Sequence, residues 1–347
     1  MKITFPDHAI GRFLITLLIA GFGGAVFHML GLPAAWLSGA MVFVAVSTLA
    51  GVPVLFPNRI RDALFIVIGI SMGAGVRPDV VERIDEWPVS MLMLVAVVVG
   101  VTFAGYAVLH FGAKWSKETA YFGAIPGTLS YVIALATDRG ADLPRIASSQ
   151  SLRLFILVAI LPFAVVSSSG GVDGEGSLAP TSSLLEILVG LPLCLAASML
   201  AVKLRVPGGW MTGAFFMSAG LNASGAWTLV LPDFVVLPCF VMMGAMIGSR
   251  FGEMTFRQFV SVLGASLAAF SAAFLTSILG AFLVSELVGI PFGQALLAYA
   301  PGGLEVMTML AFMLDLDPAF VAAHQIARFT GMVLLLPLVT GLVLGRR

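Results

Sequence analysis

Twelve apolar stretches follow one another along this chain with hardly a charge inside them. They fall at about 12–30, 34–51, 61–76, 88–111, 118–138 and 146–167, and again at about 184–202, 208–223, 234–249, 258–284, 292–314 and 320–345. A helix needs roughly 20 apolar residues, with a range of about 17–25, to cross a bilayer. Most of these runs reach that length, and the third and ninth are short but feasible. No alternation of period two runs through them, which points to a helical bundle rather than an outer-membrane barrel. With 59% hydrophobic and 10% charged residues, against about 25% charged in a soluble domain, the chain cannot cover itself with polar surface in water. An all-α integral membrane protein is therefore expected, with the lipid bilayer as its first partner.

Composition also removes several function classes. Net charge is zero and no basic block exists, so there is no electrostatic footprint for nucleic acid. Cys194 and Cys239 lie in apolar surroundings without CxxC spacing and read as small core hydrophobes. His8, His28, His110 and His324 are scattered, so no metal site and no resident cofactor are expected. The start, "MKITFPDHAIGRF", is basic and then apolar, as in a signal peptide. Residues just downstream belong to a unit that recurs later, so the first span is expected to be retained.

The two sets of stretches are copies. At a constant offset of 175, residues 126–162 and 301–337 share 12 identities in 37 positions, among them Pro126/Pro301, Gly127/Gly302, Asp142/Asp317, Gln150/Gln325, Arg153/Arg328 and Pro162/Pro337. Earlier, "PAAWLSGA" (33–40) matches "PGGWMTGA" (207–214), and Gly69/Gly73 match Gly244/Gly248. Shared apolar residues could be coincidence of composition; shared Asp, Gln and Arg at one offset could not easily be. The chain divides into a first transmembrane repeat (11–167), a Gly/Ser-rich linker (168–183) and a second transmembrane repeat (184–345).

Basic residues prefer cytoplasmic loops. In the first half they lie at the N-terminus (Lys2, Arg12), after stretch two (Arg59, Arg61), after four (Lys114, Lys117) and after five (Arg139, Arg145). In the second half the pattern reverses, with Lys203 and Arg205 after the first stretch and Arg346 and Arg347 after the last. That reversal marks an inverted-topology repeat, which needs an odd number of crossings per half. Basic residues flank stretch five on both sides, and it carries Pro126-Gly127 where its partner carries Pro301-Gly302. A Pro-Gly pair breaks a helix, and broken helices at membrane depth line protein-buried or watery cavities. The expected architecture is two inverted repeats, each of about five transmembrane helices plus a Pro-Gly-broken or re-entrant element. Both termini would then be cytoplasmic in a multi-pass membrane protein. Twelve plain spans are the alternative, but they divide the basic residues evenly between the two sides.

Of 18 basic residues, only Arg153 and Arg328 sit inside apolar stretches, at equivalent positions. An arginine near a span centre costs about 2.5 kcal/mol or more and needs a partner. Asp142, Asp317, Glu305, carbonyls at the helix breaks and a bound anion are the candidates. Gln150 and Gln325 stand three residues before the arginines, on the same helix face. A short helix beginning after each break would point free N–H groups at an anion. The candidate substrate-binding set is Pro126, Gly127, Gln150, Arg153, Pro301, Gly302, Glu305, Gln325 and Arg328. Three readings of the arginines stay open: contact with an anionic solute, capping of carbonyls at the breaks, or snorkelling to the interface. Glu305 has only Ser130 opposite it, and is either a proton carrier or a satisfied internal carboxylate. Asp142 and Asp317 read as helix N-caps, Trp36 and Trp210 as anchoring and packing residues, and Gly69, Gly73, Gly244 and Gly248 as small-xxx-small packing.

The doubled pattern PGxLxxMxxxAxxxxxDxxxVxxxQxxR resembles the AbrB-duplication family of bacterial membrane proteins. Pro301, Gly302, Leu304, Met307, Ala311, Asp317, Val321, Gln325 and Arg328 all match it, while the first copy departs at Val132 and Ile146. The resemblance spans about residues 11–345. It implies a transporter, with some members linked to regulation of gene expression and others labelled ammonia monooxygenase or transcriptional regulator. Clustered metal ligands for oxygen chemistry and a basic DNA-binding domain are both missing. The sequence points to a secondary transporter that moves a small anion by alternating access between the two repeats, with a proton or sodium ion as coupling ion and no ATP-binding motif. A membrane sensor that affects gene expression indirectly, without net transport, is the alternative. An enzyme is not expected, and homo-oligomerisation stays open.

Overall fold

The computed structural model describes residues 9–76, 87–127, 129–168, 182–224, 229–253 and 255–345. Residues 169–181 of the linker, Lys2, Arg346, Arg347 and the side chain of Ser130 lie outside the described residues. Among those described, regular structure is helix throughout, with no strand.

Among the described residues the helices fall into two series of seven that match in order and, except for α4 and the longer α11, nearly in length. The first is α1 (Ala9–Met29), α2 (Ala35–Leu49), α3 (Asn58–Ala74), α4 (Trp87–Ala107, continued by a π-turn to Gly112), α5 (Lys117–Ala124), α6 (Leu129–Thr137) and α7 (Leu143–Ser168). The second is α8 (Leu184–Lys203), α9 (Gly209–Ala223), α10 (Asp233–Ser249), α11 (Phe256–Val288), α12 (Phe292–Tyr299), α13 (Leu304–Met313) and α14 (Pro318–Leu344). Among the described residues seven elements are long and apolar enough to cross a membrane: α1, α4 with its π-turn, α7, α8, α10 with the turn after it, α11 and α14. Helices α2, α3 and α9 have 15, 17 and 15 residues. At about 1.5 Å per residue they are shorter than a hydrocarbon core of about 30 Å.

Each of the apolar runs 118–138 and 292–314 is two short helices, with the Pro-Gly pair in its middle rather than at its start. Proline disfavours the α conformation in the residue before it. Ile125 (φ −64°, ψ 125°) and Ala300 (φ −57°, ψ 138°) are extended accordingly, and α5 and α12 end there. The chain then doubles back. The Asp142 N–H, beyond α6, donates to Thr119 Oγ1 in the first turn of α5 at 3.0 Å, so α5 begins where α6 ends. In the second half Gly293, early in α12, lies against Leu316, beyond α13.

Packing divides the helices differently from the sequence. Helices α1–α3 and α8–α10 form one six-helix group, in which α2 packs on α10, α3 on α9, α1 on α2 and α8 on α9. Helices α4–α7 and α11–α14 form the other, centred on α4 against α11, with α12 against both α7 and α14. Each group thus takes helices from both halves.

Glycine lets the first group close tightly. A Cβ on Gly69 or Gly73 would come within 2.5 and 2.6 Å of carbonyl oxygens on α9, and one on Gly244 or Gly248 within 2.3 and 2.6 Å of carbonyl oxygens on α2. These are backbone-to-backbone crossings of the small-xxx-small kind. Gly23 and Gly39 do the same between α1 and α2, and Gly213 against α8.

Candidate functional site

The site is built from the two helix breaks. Where α5 and α12 stop, their last carbonyls lose the N–H groups that a continuing helix would supply. Side chains of α7 and α14 replace them. Gln150 Nε2 donates to the carbonyls of Ile125 (2.9 Å), Phe122 (3.2 Å) and Gly123 (3.4 Å). Gln325 Nε2 donates to those of Leu297 (2.9 Å) and Ala298 (3.2 Å). One turn further on, Arg153 Nη1 donates to the Ile125 carbonyl at 3.2 Å and Nη2 to Gln150 Oε1. Arg328 donates to the carbonyls of Ala300 and Gly302. Arg153 and Arg328 each reach a carbonyl 28 residues back, so the two halves repeat one geometry.

These bonds leave capacity to spare. A guanidinium has five N–H donors, and the Nε of both arginines is buried with no partner among the described residues. Gln325 Oε1 is buried and unpartnered too. Neither arginine meets a carboxylate among the described residues. Asp142 pairs with Arg145 at 3.2 Å and accepts its backbone N–H. Asp317 accepts the N–H groups of Ala319 and Phe320 at the start of α14.

Both breaks face one cavity of about 450 Å³. Its floor holds Pro126, Gly127, Gln150 and Arg153 from one half and Pro301, Gly302, Gln325 and Arg328 from the other. Glu305 joins them in the first turn of α13, whose N-terminal residues 303–306 face the same space. The nine residues singled out as a candidate binding set therefore meet in one place. Four arginines (Arg61, Arg153, Arg250, Arg328) and two carboxylates (Asp62, Glu305) line the cavity, a net of two positive charges. The arginine side chains are in part the carbonyl caps that formed the second reading of the sequence. Capping leaves the Nε groups and the cationic charge unmatched.

Sequence reasoning missed the wall that the first helix group contributes. Arg61 and Asp62, an ion pair at 2.9 Å, and Phe65 come from α3, Pro207–Trp210 from the start of α9, and Met246 and Arg250 from the end of α10. Trp210 forms part of this wall, whereas Trp36 stacks on His28 outside it, with ring centroids 5.4 Å apart. The duplicated Pro-x-x-Trp motif was visible as a repeat; its place beside the cavity depends on α9 packing across the halves onto α3. Among the described residues no group of three or more His, Cys, Asp or Glu side chains could hold a metal.

Fold and site together define a class: an all-helical membrane protein with paired helix breaks around a cationic internal cavity. A family model described as "Transition state regulatory protein AbrB" matches residues 36–344, and the chain belongs to this AbrB family. It is similar to "Uncharacterized protein YhjN" of Bacillus subtilis (strain 168), with 26% identity over 348 residues, covering 92% of this chain and 90% of that one. It is also similar to "Putative regulator AbrB" of Escherichia coli (strain K12), with 22% identity over 329 residues and 93% of each chain covered.

Proposed function

We propose that this protein is a secondary transporter of a small anion, built from two inverted repeats in a bacterial inner membrane. One observation carries the substrate class. Buried Arg328 and half-buried Arg153, each with a buried, unpartnered Nε–H and no carboxylate partner among the described residues, face a cavity of net positive charge. Desolvated, forked guanidinium donors suit carboxylate, sulfate or phosphate oxygens, and the N-terminus of α13 adds free N–H groups of the same preference. A cavity of about 450 Å³ suits a metabolite rather than a bare halide. Glu305 is the candidate carrier of a coupling proton or sodium ion.

Several contacts support the inverted arrangement. The Leu55 N–H donates to Thr16 Oγ1 at 3.1 Å, which sets the early part of α1 beside the loop leading into α3. The starts of α3 and α9 share one cavity wall, and the start of α9 follows the end of α8. Helix α1 thus begins on the side where α8 ends. Arg139, beyond α6, bonds the Gly345 carbonyl beyond α14 at 2.9 Å, which brings the end of α14 to the side carrying basic residues. With α5–α6 and α12–α13 as re-entrant hairpins, each half has five crossings, and the cavity wall of α3, α9 and α10 faces the cytoplasm.

The test is a thermal-shift panel of acetate, succinate, citrate, sulfate and phosphate on detergent-purified protein, beside the variant Arg153→Gln/Arg328→Gln. A ligand that binds only the native state stabilises it by about 2.7 kcal/mol at a hundredfold excess over Kd. Stabilisation by at least one anion, lost in the variant, is expected. Equal stabilisation of both proteins would make the arginines structural caps and remove the anion assignment. A sensor that binds without transport is the second reading, favoured by the regulatory names of the family and of the Escherichia coli relative. Accumulation in proteoliposomes separates the two.

A further inference from the structure

The cavity has a largely symmetric floor and a one-sided wall. Ten floor residues come in equivalent pairs, 126/301, 127/302, 150/325, 153/328 and 154/329, whereas Ser151, Val306 and Met332 line it without their counterparts Ile326, Tyr131 and Leu157. No wall residue is paired in this way. Pro207–Trp210 line the cavity and their counterparts Pro33–Trp36 do not; Phe65 does and its counterpart Phe240 does not; Met246 does and its counterpart Ser71 does not.

Prolines supply a reason for the difference. Pro162 lies inside α7 and Pro337 inside α14. Without an N–H, each leaves the carbonyl four residues earlier unpaired within its helix. Those carbonyls belong to Val158 and Val333, an equivalent pair. Val158 is bonded from the other helix group, with Ser38 Oγ of α2 donating to it at 3.3 Å, both residues buried. Val333 is bonded from within its own group, by Tyr131 Oη of α6 at 2.9 Å. The counterpart of Ser38 is Thr212 on α9. Its hydroxyl donates locally, to the Pro207 carbonyl at 2.8 Å, on the side where the cavity lies. The counterpart of Tyr131 is Val306, which has no side-chain donor.

We propose that the cavity has a second mouth on the opposite face, lined by Pro33–Trp36, Ser71 and Phe240, and that the Ser38–Val158 bond latches it shut. When the group carrying the floor shifts against the six-helix group, Ser38 releases Val158 and Thr212 takes the Val333 carbonyl from Tyr131. Val333 then keeps a donor in both states, whereas Val158 gives up its donor when Ser38 releases it, and that unmade bond favours the state in which the second mouth is shut. The moving bodies are the two packed groups rather than the two sequence halves. Close glycine crossings hold the six-helix group as one unit. This inference rests on the transporter reading and its inverted repeats.

The test needs no substrate. Buried Cys194 and Cys239 are replaced by Ala, and single cysteines are introduced as Met246→Cys and Ser71→Cys. Labelling by a membrane-impermeant maleimide is followed in vesicles of both orientations. Met246→Cys should react from the cytoplasmic face and Ser71→Cys, more slowly, from the other. Adding Ser38→Ala or Tyr131→Phe should speed Ser71→Cys labelling and slow Met246→Cys labelling, each by about two- to tenfold, the shift that one neutral hydrogen bond sustains. Thr212→Val should do the reverse. A Ser71→Cys site unreactive from both faces in the Ser38→Ala and Tyr131→Phe backgrounds, while Met246→Cys reacts, would overturn the second mouth. A Thr212→Val effect of the same sign as Ser38→Ala would mark general loosening and overturn the latch. Labelling of both cysteines from one face would refute the inverted arrangement itself. Size-exclusion profiles of each variant separate these outcomes from misfolding.

Discussion

Replacing the two equivalent glutamines by leucine should destabilise the protein unequally. Gln150 and Gln325 are both buried, at 6% and 1% exposure, and both serve the carbonyls at a helix break, but their bonds differ. The Gln150 amide faces three carbonyls, of which its two N–H groups satisfy two, and its Oε1 accepts from Arg153. Gln150→Leu therefore strips two neutral bonds at about 1 kcal/mol each and one charged bond at about 1.5 kcal/mol, some 3–4 kcal/mol in all. Gln325→Leu loses two neutral bonds, but Gln325 Oε1 is already buried without a partner. Deleting that atom returns about 1 kcal/mol, so the net loss is about 1 kcal/mol. The difference of about 2–3 kcal/mol corresponds to roughly 4–6 °C in Tm at about 2 °C per kcal/mol. Tryptophan-fluorescence melts of the two variants in one detergent would measure it. Equal losses, or a larger loss at Gln325, would refute the assignment of distinct bonding roles to the two halves.

Other substitutions test other parts of the structure. Gly244→Ala places a Cβ 2.3 Å from the Leu37 carbonyl and should cost about 1–3 kcal/mol as α2 and α10 are forced apart. Gly264→Ala, where nothing lies within 4 Å, should be neutral or stabilising by up to about 1 kcal/mol; the same thermal melts compare them. Asp317→Ala removes the cap on the Ala319 and Phe320 N–H groups and should cost about 1 kcal/mol. Arg328→Lys keeps the charge and one carbonyl bond but loses the fork. It should weaken anion binding about tenfold in titration calorimetry while shifting Tm far less than Arg328→Gln.

How much could be read from the chain itself varies with the physics involved. Apolar runs fixed the helical membrane class, because burying a backbone in lipid leaves few alternatives. Polar residues at one offset exposed the duplication and brought the nine floor residues together as a set, since Arg153 and Arg328 stand out in an apolar setting. The hairpins at the two breaks were half legible. Pro126 and Pro301 announced a break, but helices on both sides of it were hidden inside single apolar runs. The wall was not legible. Arg61 and Asp62 look like ordinary loop charges, and only the crossing of α3 on α9 brings them to the cavity. Ser38 was equally silent, because its partner is a carbonyl freed by a proline 124 residues further on, and nothing local marks that pairing.

Uptake into proteoliposomes bears most directly on the central claim that the cavity is a transport site for an anion. The probe is a radiolabelled anion taken from the thermal-shift panel, measured with wild-type protein, Arg328→Gln and protein-free vesicles under an imposed proton or sodium gradient. Accumulation above the protein-free level, driven by one of the gradients and abolished in Arg328→Gln, is the expected result. Specific binding to the wild type without accumulation under either gradient would contradict transport and make the cavity the binding site of a sensor.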